Sequence, residues 1–475
     1  MGLVFLIGGL ILIFPAKGIV FSGVELKFVS KEDFQSKVKI EEEVHLNILN
    51  IDSIKKLEKK RIDSIRKAEK IIHQKYLDSI LKAHKNIQYP GNDLTVLFPF
   101  FEKLTKAKTK KVRIMHYGDS QIEADRITAL LRESLQKKFG GYGPGVYAVI
   151  PATRKISIKN DVSENWVRRT GFGSYIDTAV SHKNYGALFS FCEITSDSLF
   201  KDTNAIYSAT ITINRPTRSY SHCRNYQRVN IYYSTEEKVN ISYKIKDSTV
   251  HNDTLDKSKE IKVHSLEFSK APKSMEVTFK SKGSPLIYGI SLEGKRGVVV
   301  DNIPLRGASG TEFGKVDYKS LKQMHHLLQP DLFILEFGGN TIPYISTKKR
   351  AQAYGSYFKK QILKIKKINP QALVLVIGPG DMAKKANTSL VTYPILEDVR
   401  DALKTAAFET NSCFWDMYLN MGGENSIQRW SEEKPALAAR DYIHLTNTGA
   451  QKVANLFIQD LMNDYDNYLT YKNEE

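Results

Sequence analysis

The sequence predicts an α/β protein. Its parallel sheet, covered by helices on both faces, is interrupted by an all-β sandwich and preceded by a helical segment. Three patterns lead to this. Two stretches, about 96–155 and 295–475, alternate apolar strand-like runs with helical ones, the arrangement that demands a parallel sheet buried on both sides. Between them, 156–294 carries short β-branched and aromatic runs separated by polar turns, the spacing of a sandwich. Ahead of both, residues 30–88 are lysine-rich, and 41–85 contain neither glycine nor proline.

In chain order, residues 1–14 ("MGLVFLIGGLILIF") form an uncharged apolar run the length of a signal-peptide core, shorter than the roughly 20 residues that span a bilayer. Residues 1–22 are therefore expected to be a signal peptide, with "VFSG" as the cleavage region, or an uncleaved membrane anchor. Either implies export to the periplasm or cell envelope. The helical segment contains an echo, "IDSIKKLEKKR" at 51–61 and "IDSIRKAEKII" at 62–72, whose eleven-residue period suits a stalk that self-associates or a single amphipathic helix packed on the main domain. "YPGND" at 89–93 ends it.

The sandwich strands are expected in "ALFSFCEI", "NAIYSATITIN", "QRVNIYYS", "KVNISYKIK", "IKVHSLEF", "SMEVTFK" and "PLIYGISLEG". The second α/β stretch supplies strands "GVVVDNIPL", "DLFILEFGG", "ALVLVIGPG" and "CFWDMY" between helices. Composition narrows function only partly. The formal charge of +18 could attract nucleic acid, anionic lipid or an acidic polymer. The lysines are dispersed, however, and there is no Walker loop, no zinc-type cysteine pair and no RNA-binding aromatic signature, so nucleic acid is not the expected partner. Three cysteines, Cys192, Cys223 and Cys413, exclude a disulfide scaffold.

Ligands of open α/β sheets bind at the carboxyl ends of strands, and four such junctions stand out: "GDS" ending at Ser120, "LRGASGT" with Gly310, "EFGGNT" with Asn340, and "DYIHLTNTGA" with Asp441 and His444. Locally, Asp119, Ser120 and Glu123 also read as a helix cap and capping box for a helix over "ADRITALLRESLQKKF". A serine hydroxyl attacks well only when a base takes its proton, imidazole is the base matched to neutral pH, and a carboxylate on the other ring nitrogen fixes the tautomer. His116, and the adjacent helical pair His325 and His326, suggest structural roles, and no metal site is expected.

Taken in order, the four blocks resemble those of the SGNH (GDSL) hydrolase superfamily, with Thr341 in place of the acid that normally ends the third block. The resemblance implies a flavodoxin-like three-layer domain and a catalytic triad of Ser120, Asp441 and His444. It also implies an oxyanion hole of Ser120, Gly310 and Asn340, with no metal and no cofactor. With its inserted sandwich, the region 96–475 is similar to peptidoglycan O-acetylesterases that carry a carbohydrate-binding-like insertion. That likeness implies acetyl removal from an acetylated glycan polymer, peptidoglycan first. The alternatives are a glycan O-acetyltransferase, an esterase of another polysaccharide such as xylan, or a non-catalytic glycan-binding scaffold. The sandwich is expected to hold a glycan over Ser120, with Trp166, Tyr175, Tyr185, Tyr220, His222 and Tyr232 as candidate contacts, although aromatic residues in a sandwich are more often core.

Overall fold

The computed structural model describes residues 19–21, 23–26, 53–68, 87–173, 176–178, 180–195, 206–245, 249–386 and 389–474. The chain forms two compact units that divide after Ser79. In the first, Ile19–Phe21 and Val24–Leu26 pair as an antiparallel hairpin. Residues 53–68 form a helix on which Ile54, Leu57, Ile62 and Ile65 are exposed. The apolar run at 1–14 and most of the expected stalk lie outside the described residues. Among the described residues, no helix is long and apolar enough to cross a membrane.

The second unit is built on five parallel strands, β1 (Lys111–Gly118), β2 (Gly297–Pro304), β3 (Leu332–Glu336), β4 (Leu373–Ile377) and β5 (Cys413–Trp415). They lie in the order β2-β1-β3-β4-β5, the flavodoxin-like order whose switch point falls between β1 and β3. Each strand is followed by a helix: α1 (Thr128–Phe139), α2 (Tyr318–Leu328), α3 (Lys348–Ile368), α4 (Leu396–Phe408) and α5 (Asn447–Glu474). Successive side chains of a strand point to opposite faces. Val112 and Ile114 therefore join Leu131, Leu135, Val453 and Phe457 of α1 and α5 on one side, whereas Met115 and Tyr117 join Leu321, Met324, Phe358 and Leu403 of α2, α3 and α4 on the other. The domain starts earlier than position 96, because Gln88 bridges to Phe414 of β5 and the Tyr89 hydroxyl donates to Asp464 of α5 at 2.6 Å.

The chain between α1 and β2 forms two antiparallel sheets. One runs Thr249–Leu255, Val239–Ile245, Ser274–Ser281, Tyr207–Asn214, Lys159–Val162; the other runs Ser258–Glu267, Arg228–Thr235, Leu286–Glu293, Ser190–Ile194, Trp166–Thr170. Gly145–Tyr147 also pairs with Leu286–Glu293, so a segment from the expected first part of the α/β domain belongs to the insertion. The strand Thr249–Leu255 ("TVHNDTL") lacks apolar alternation and sits at a sheet edge, which explains why the sequence pattern missed it. Ile211, Ile241, Val277 and Phe279 face Val229, Ile231, Ile290 and Leu292 between the sheets. The second sheet is buried on both faces: its outer side, with Phe191, Tyr232 and Tyr288, shares a core with Leu321 and Met324 of α2. The insertion is thus docked against the α/β domain.

A buried charge cluster stitches this junction. Arg113 of β1 donates to both carboxylate oxygens of Asp301 in β2, at 2.8 and 2.9 Å, and also to Glu293, the last residue of the sandwich strand leading into β2. Lys111 pairs with Glu293, and Val146 N–H donates to Asp301 at 2.7 Å. Burial alone would favour neutral Glu293, but Arg113 and Lys111 hold its carboxyl down to about 2. Gly145 has φ +79, and a Cβ there would run into the Asp301 carboxylate. Removing one member of such a cluster leaves uncompensated buried charge, at a cost of about 3–5 kcal/mol. Arg113→Met is expected to lower unfolding stability by about that amount, read from urea denaturation at pH 7; a loss under about 1 kcal/mol would show that the cluster is dispensable.

Candidate active site

At the end of β1 the chain is bonded to both neighbouring strands: Gly118 O accepts from Leu305 N–H at 2.7 Å, and Asp119 N–H donates to Glu336 O at 3.2 Å. A Cβ on Gly118 would sit 3.0 Å from that same Glu336 oxygen, so glycine permits this approach. Beyond it the chain turns into the short 3-10 segment Ser120–Asp125. The capping box expected of Ser120 and Glu123 does not form. Asp119 caps the turn, accepting from Gln121 N–H at 2.9 Å, while the Glu123 carboxylate meets the Arg306 guanidinium at 2.7 and 2.5 Å. Glu123 (ψ 158), Ala124 (φ 56) and Asp125 (φ 66) leave helical geometry, so the regular helix α1 begins only at Thr128. The buried Asp125–Arg132 pair, at 2.7 and 3.1 Å, holds this irregular turn. Non-glycine residues at positive φ cost of order 1–3 kcal/mol each and persist where surroundings dictate them.

Freed from capping, Ser120 Oγ lies 2.9 Å from His444 Nε2, and His444 Nδ1 lies 2.7 Å from Asp441 Oδ2. A carboxylate can only accept, so Nδ1 carries the proton and Nε2 is left to accept from the serine hydroxyl. The other oxygen of Asp441 accepts the backbone N–H groups of Ile443 and His444, each at 3.0 Å, which fixes the turn between acid and imidazole. Partial burial disfavours the Asp441 charge, but the His444 backbone and imidazole and the Ile443 N–H outweigh it and hold the carboxyl below its ordinary range. The two side chains are 47% and 37% exposed, so solvent screens the pair and its value lies in orientation more than stability.

Ser120, Asn340 and His444 line one cleft of about 180 Å³, together with Asp119, Gln121, Glu336, Tyr344, Met382, Met417 and Ile443. Asn340 Nδ2 donates one bond, to Ala308 O at 3.1 Å; its amide has a second N–H available. Gly310 is not among the lining residues. It lies two positions after Ala308 with φ +79, a conformation suited to glycine, and any Cβ would strike Phe358 and Phe337. Tyr354 holds this turn by donating to Ser309 O at 2.6 Å. Thr341, in place of the usual third-block acid, donates its backbone N–H to Gly338 O at 2.9 Å.

Sequence reasoning overlooked several participants. Gln121 and Arg126 join the Ser120 turn to the His444 loop, and Tyr344, 82% exposed, stands at the rim. None carries a motif; each is visible only once distant loops meet. Asp119 lies in the cleft wall, and burial pushes its carboxyl up to about 7; Gln121 N–H opposes this, Glu336 and Glu123 add to it, and Arg126 opposes it. His116 is fully buried between Glu336 and Thr128 at 3.1 and 3.0 Å, and His325 between Tyr117 and Asn369 at 3.2 and 3.0 Å. Asp381, between the cleft-lining Gly380 and Met382, accepts from Thr392, Ser426 and Ile427. Among the described residues, no group of three or more His, Cys, Asp or Glu could hold a metal ion.

No residue of the insertion lines this cleft. Trp166, Tyr185 and Tyr232 are buried in the cores, Tyr220 is half-buried, and His222 is engaged with Glu133 at 2.9 Å; Tyr175 lies outside the described residues.

Residues 287–452 match the model of the GDSL-like Lipase/Acylhydrolase family. This part of the chain is a GDSL-like acylhydrolase domain. The matched segment contains Gly310, Asn340, Asp441 and His444, while Ser120 lies on the far side of the insertion. No curated protein matches the chain. Among solved structures, a peptidoglycan O-acetylesterase shares the fold, with a TM-score of 0.58 and 19% identity over 78% of this chain and 96% of that one. An acetyl xylan esterase (TM-score 0.27, 16% identity, 34% and 80% covered) and a family two carbohydrate esterase from Cellvibrio japonicus (TM-score 0.24, 10% identity, 66% and 99% covered) superpose too loosely to carry an argument. The matched domain is of a kind that hydrolyses ester bonds.

Two outcomes follow for the acylhydrolase. Losing one preorganised oxyanion donor costs about 100- to 1000-fold in turnover. Asn340→Ala is expected to show that drop in kcat on a chromogenic acetate with its melting temperature kept; full activity would remove Asn340 from the oxyanion site. Asp119 carries a sign that can be checked by linkage. Its folded-state carboxyl titrates near 7 against an ordinary 3.8, so between these values the folded state retains a proton that the unfolded state has lost, and stability falls as pH rises across that window. Asp119→Asn keeps the acceptor for Gln121 N–H and removes the titration. Relative to this variant, the wild type is expected to lose stability from pH 4.5 to pH 7.5 in urea melts, and parallel curves would refute the assignment.

Proposed function

We propose that the protein is an exported serine esterase that removes O-acetyl groups from a cell-envelope glycan, peptidoglycan first. The observation that carries this reading is the continuous Ser120–His444–Asp441 relay opening beside Asn340 into a small cleft. In this reading Ser120 Oγ attacks the ester carbonyl as His444 Nε2 takes its proton, and Asp441 stabilises the resulting imidazolium. The oxyanion is received by the Ser120 N–H and the second amide N–H of Asn340, both at the cleft, and the Gly310 N–H is the third donor that the resemblance implies. His444 returns the proton to the departing sugar oxygen. Water then attacks the acetyl-serine with His444 again as base, releasing acetate.

The cleft favours a short acyl group. At about 180 Å³ it is smaller than the roughly 300–1,000 Å³ of sites for drug-sized ligands, and Gly339, Gly378 and Gly380 form its wall beside Met382 and Met417. The alcohol portion must then lie outside, where Tyr344 offers an exposed aromatic face. Such a face suits a sugar ring, whose C–H side is apolar. The fold shared with a peptidoglycan O-acetylesterase supports peptidoglycan as the polymer, and the basic balance of the chain suits a polymer bearing peptide carboxylates. We also propose that the N-terminal segment tethers the enzyme or is removed on export, and that the helical segment self-associates.

The test compares the full chain with Ser120→Ala and Tyr344→Ala on acetylated peptidoglycan, acetylated xylan and a chromogenic acetate. Acetate release is expected to require Ser120 and to be fastest on peptidoglycan. Tyr344→Ala is expected to raise KM on the polymer about tenfold, the loss of about 1.4 kcal/mol, and to leave the chromogenic acetate unchanged. No Ser120-dependent release from any ester would refute the esterase reading. Donor-dependent acetylation of glycan with negligible hydrolysis would turn it into a transferase, and preference for xylan would change the polymer.

A further inference from the structure

Ser120 and His444 belong to segments separated by 324 positions, and both segments are irregular. The Ser120 turn is a short 3-10 segment kinked where Glu123, Ala124 and Asp125 leave helical geometry. Arg126 adds a side-chain donor to it: its Nη2 lies 2.5 Å from Ser120 O. The same guanidinium sends NH1 to Leu445 O at 2.7 Å and Nε to Glu123 O at 3.2 Å. One planar group thus touches the backbone of the serine, the bend in its turn, and the residue after the histidine.

Gln121 makes a second bridge. Its Nε2 donates to Ile443 O at 2.8 Å, and its Oε1 faces Leu445 N–H at 3.4 Å. The amide and the guanidinium therefore hold the backbone on both sides of His444, while the loop carrying Asp441 and His444 is otherwise tied to its own turn and to Ala383. We propose that Gln121 and Arg126 are positioning residues, a two-point clamp that sets the distance between Ser120 Oγ and His444 Nε2. This rests on the reading of Ser120 as nucleophile and His444 as base. Arg126 suits the task because a guanidinium presents several donors in a fixed plane, which the single ammonium of lysine cannot reproduce. Displacing a reacting group by about 1 Å can cost on the order of 100-fold in rate, whereas neither side chain is assigned a bond to the substrate.

The clamp predicts a particular kinetic signature. Gln121→Leu and Arg126→Met are each expected to lower kcat on a chromogenic acetate by about 10- to 100-fold with KM within about twofold. In the double variant the losses should be far from multiplicative, because both act on one loop. Arg126→Gly is expected to regain part of its kcat when methylguanidinium is added, while Gln121→Leu gains nothing from it. Melting temperatures are recorded throughout, and Gln121, partly exposed at the cleft edge, gives a variant that keeps its fold if the arginine variants do not. Wild-type kcat in Gln121→Leu, or a loss confined to KM, overturns the clamp. Wild type and Ser120→Ala run alongside: if they release acetate equally, the esterase reading has failed instead.

Discussion

The site depends on a parting of strands. Where β1 ends, Gly118 O accepts from Leu305 N–H just past β2 and Asp119 N–H donates to Glu336 O of β3, and past that point the connections run to opposite faces of the sheet. Five parallel strands in the order β2-β1-β3-β4-β5 leave a crevice only where the direction of winding reverses, and Gly118 lets the backbone pass that reversal without a side chain pressing on Glu336. Ser120 follows two residues later and Asn340 four residues after the end of β3. Their proximity is a property of strand order, and it would survive wide variation in the helices behind them.

What strand order does not supply is the histidine. His444 comes from the connection between β5 and α5, three strands away from β1 in the sheet. The loop must reach across the carboxyl edge, and Tyr442, at φ 56, marks the sharp turn it makes there. Bonds from Gln121 and Arg126 meet that loop, while Asp125, at φ 66, is locked by Arg132 behind them. The kinked Ser120 turn and hydrogen bonding across to the His444 loop are therefore parts of one arrangement, because Arg126 donates both to Ser120 O and to Leu445 O.

This arrangement explains what was legible in the sequence. Strands such as "LFILE" and "LVLVI" are apolar throughout because helices cover both faces, so their period and class were readable without coordinates. Ser120 and Asn340 were readable because each follows a strand end in a recognisable block, and Asp441 and His444 because their block stands just ahead of α5. The capping box fails for a physical reason: Ser120 and Glu123 have the right identities and spacing, but the competing partner of Glu123 is Arg306, 183 positions away. Gln121, Arg126 and Tyr344 left no local trace for the same reason. Thr249–Leu255, a polar edge strand, was missed because its stability comes from pairing with Val239–Ile245 rather than from its own pattern.

The insertion changes how such a domain can meet a polymer. Its second sheet is occupied on both faces, by the first sheet and by α2, and the buried Arg113, Asp301 and Glu293 fix it to β1 and β2. A module held by an apolar core and paired buried charges does not swing as a flexible binding arm does. Of its expected aromatic contacts, Trp166, Tyr185 and Tyr232 are spent on packing. The cleft at Ser120 is lined by loops of the α/β domain itself, where Tyr344 rises from the turn that begins just after Asn340. One short segment then carries both the proposed oxyanion donor and the proposed sugar platform, so the ester carbonyl and the ring that bears it are addressed from the same five-residue stretch of backbone, Asn340 to Tyr344.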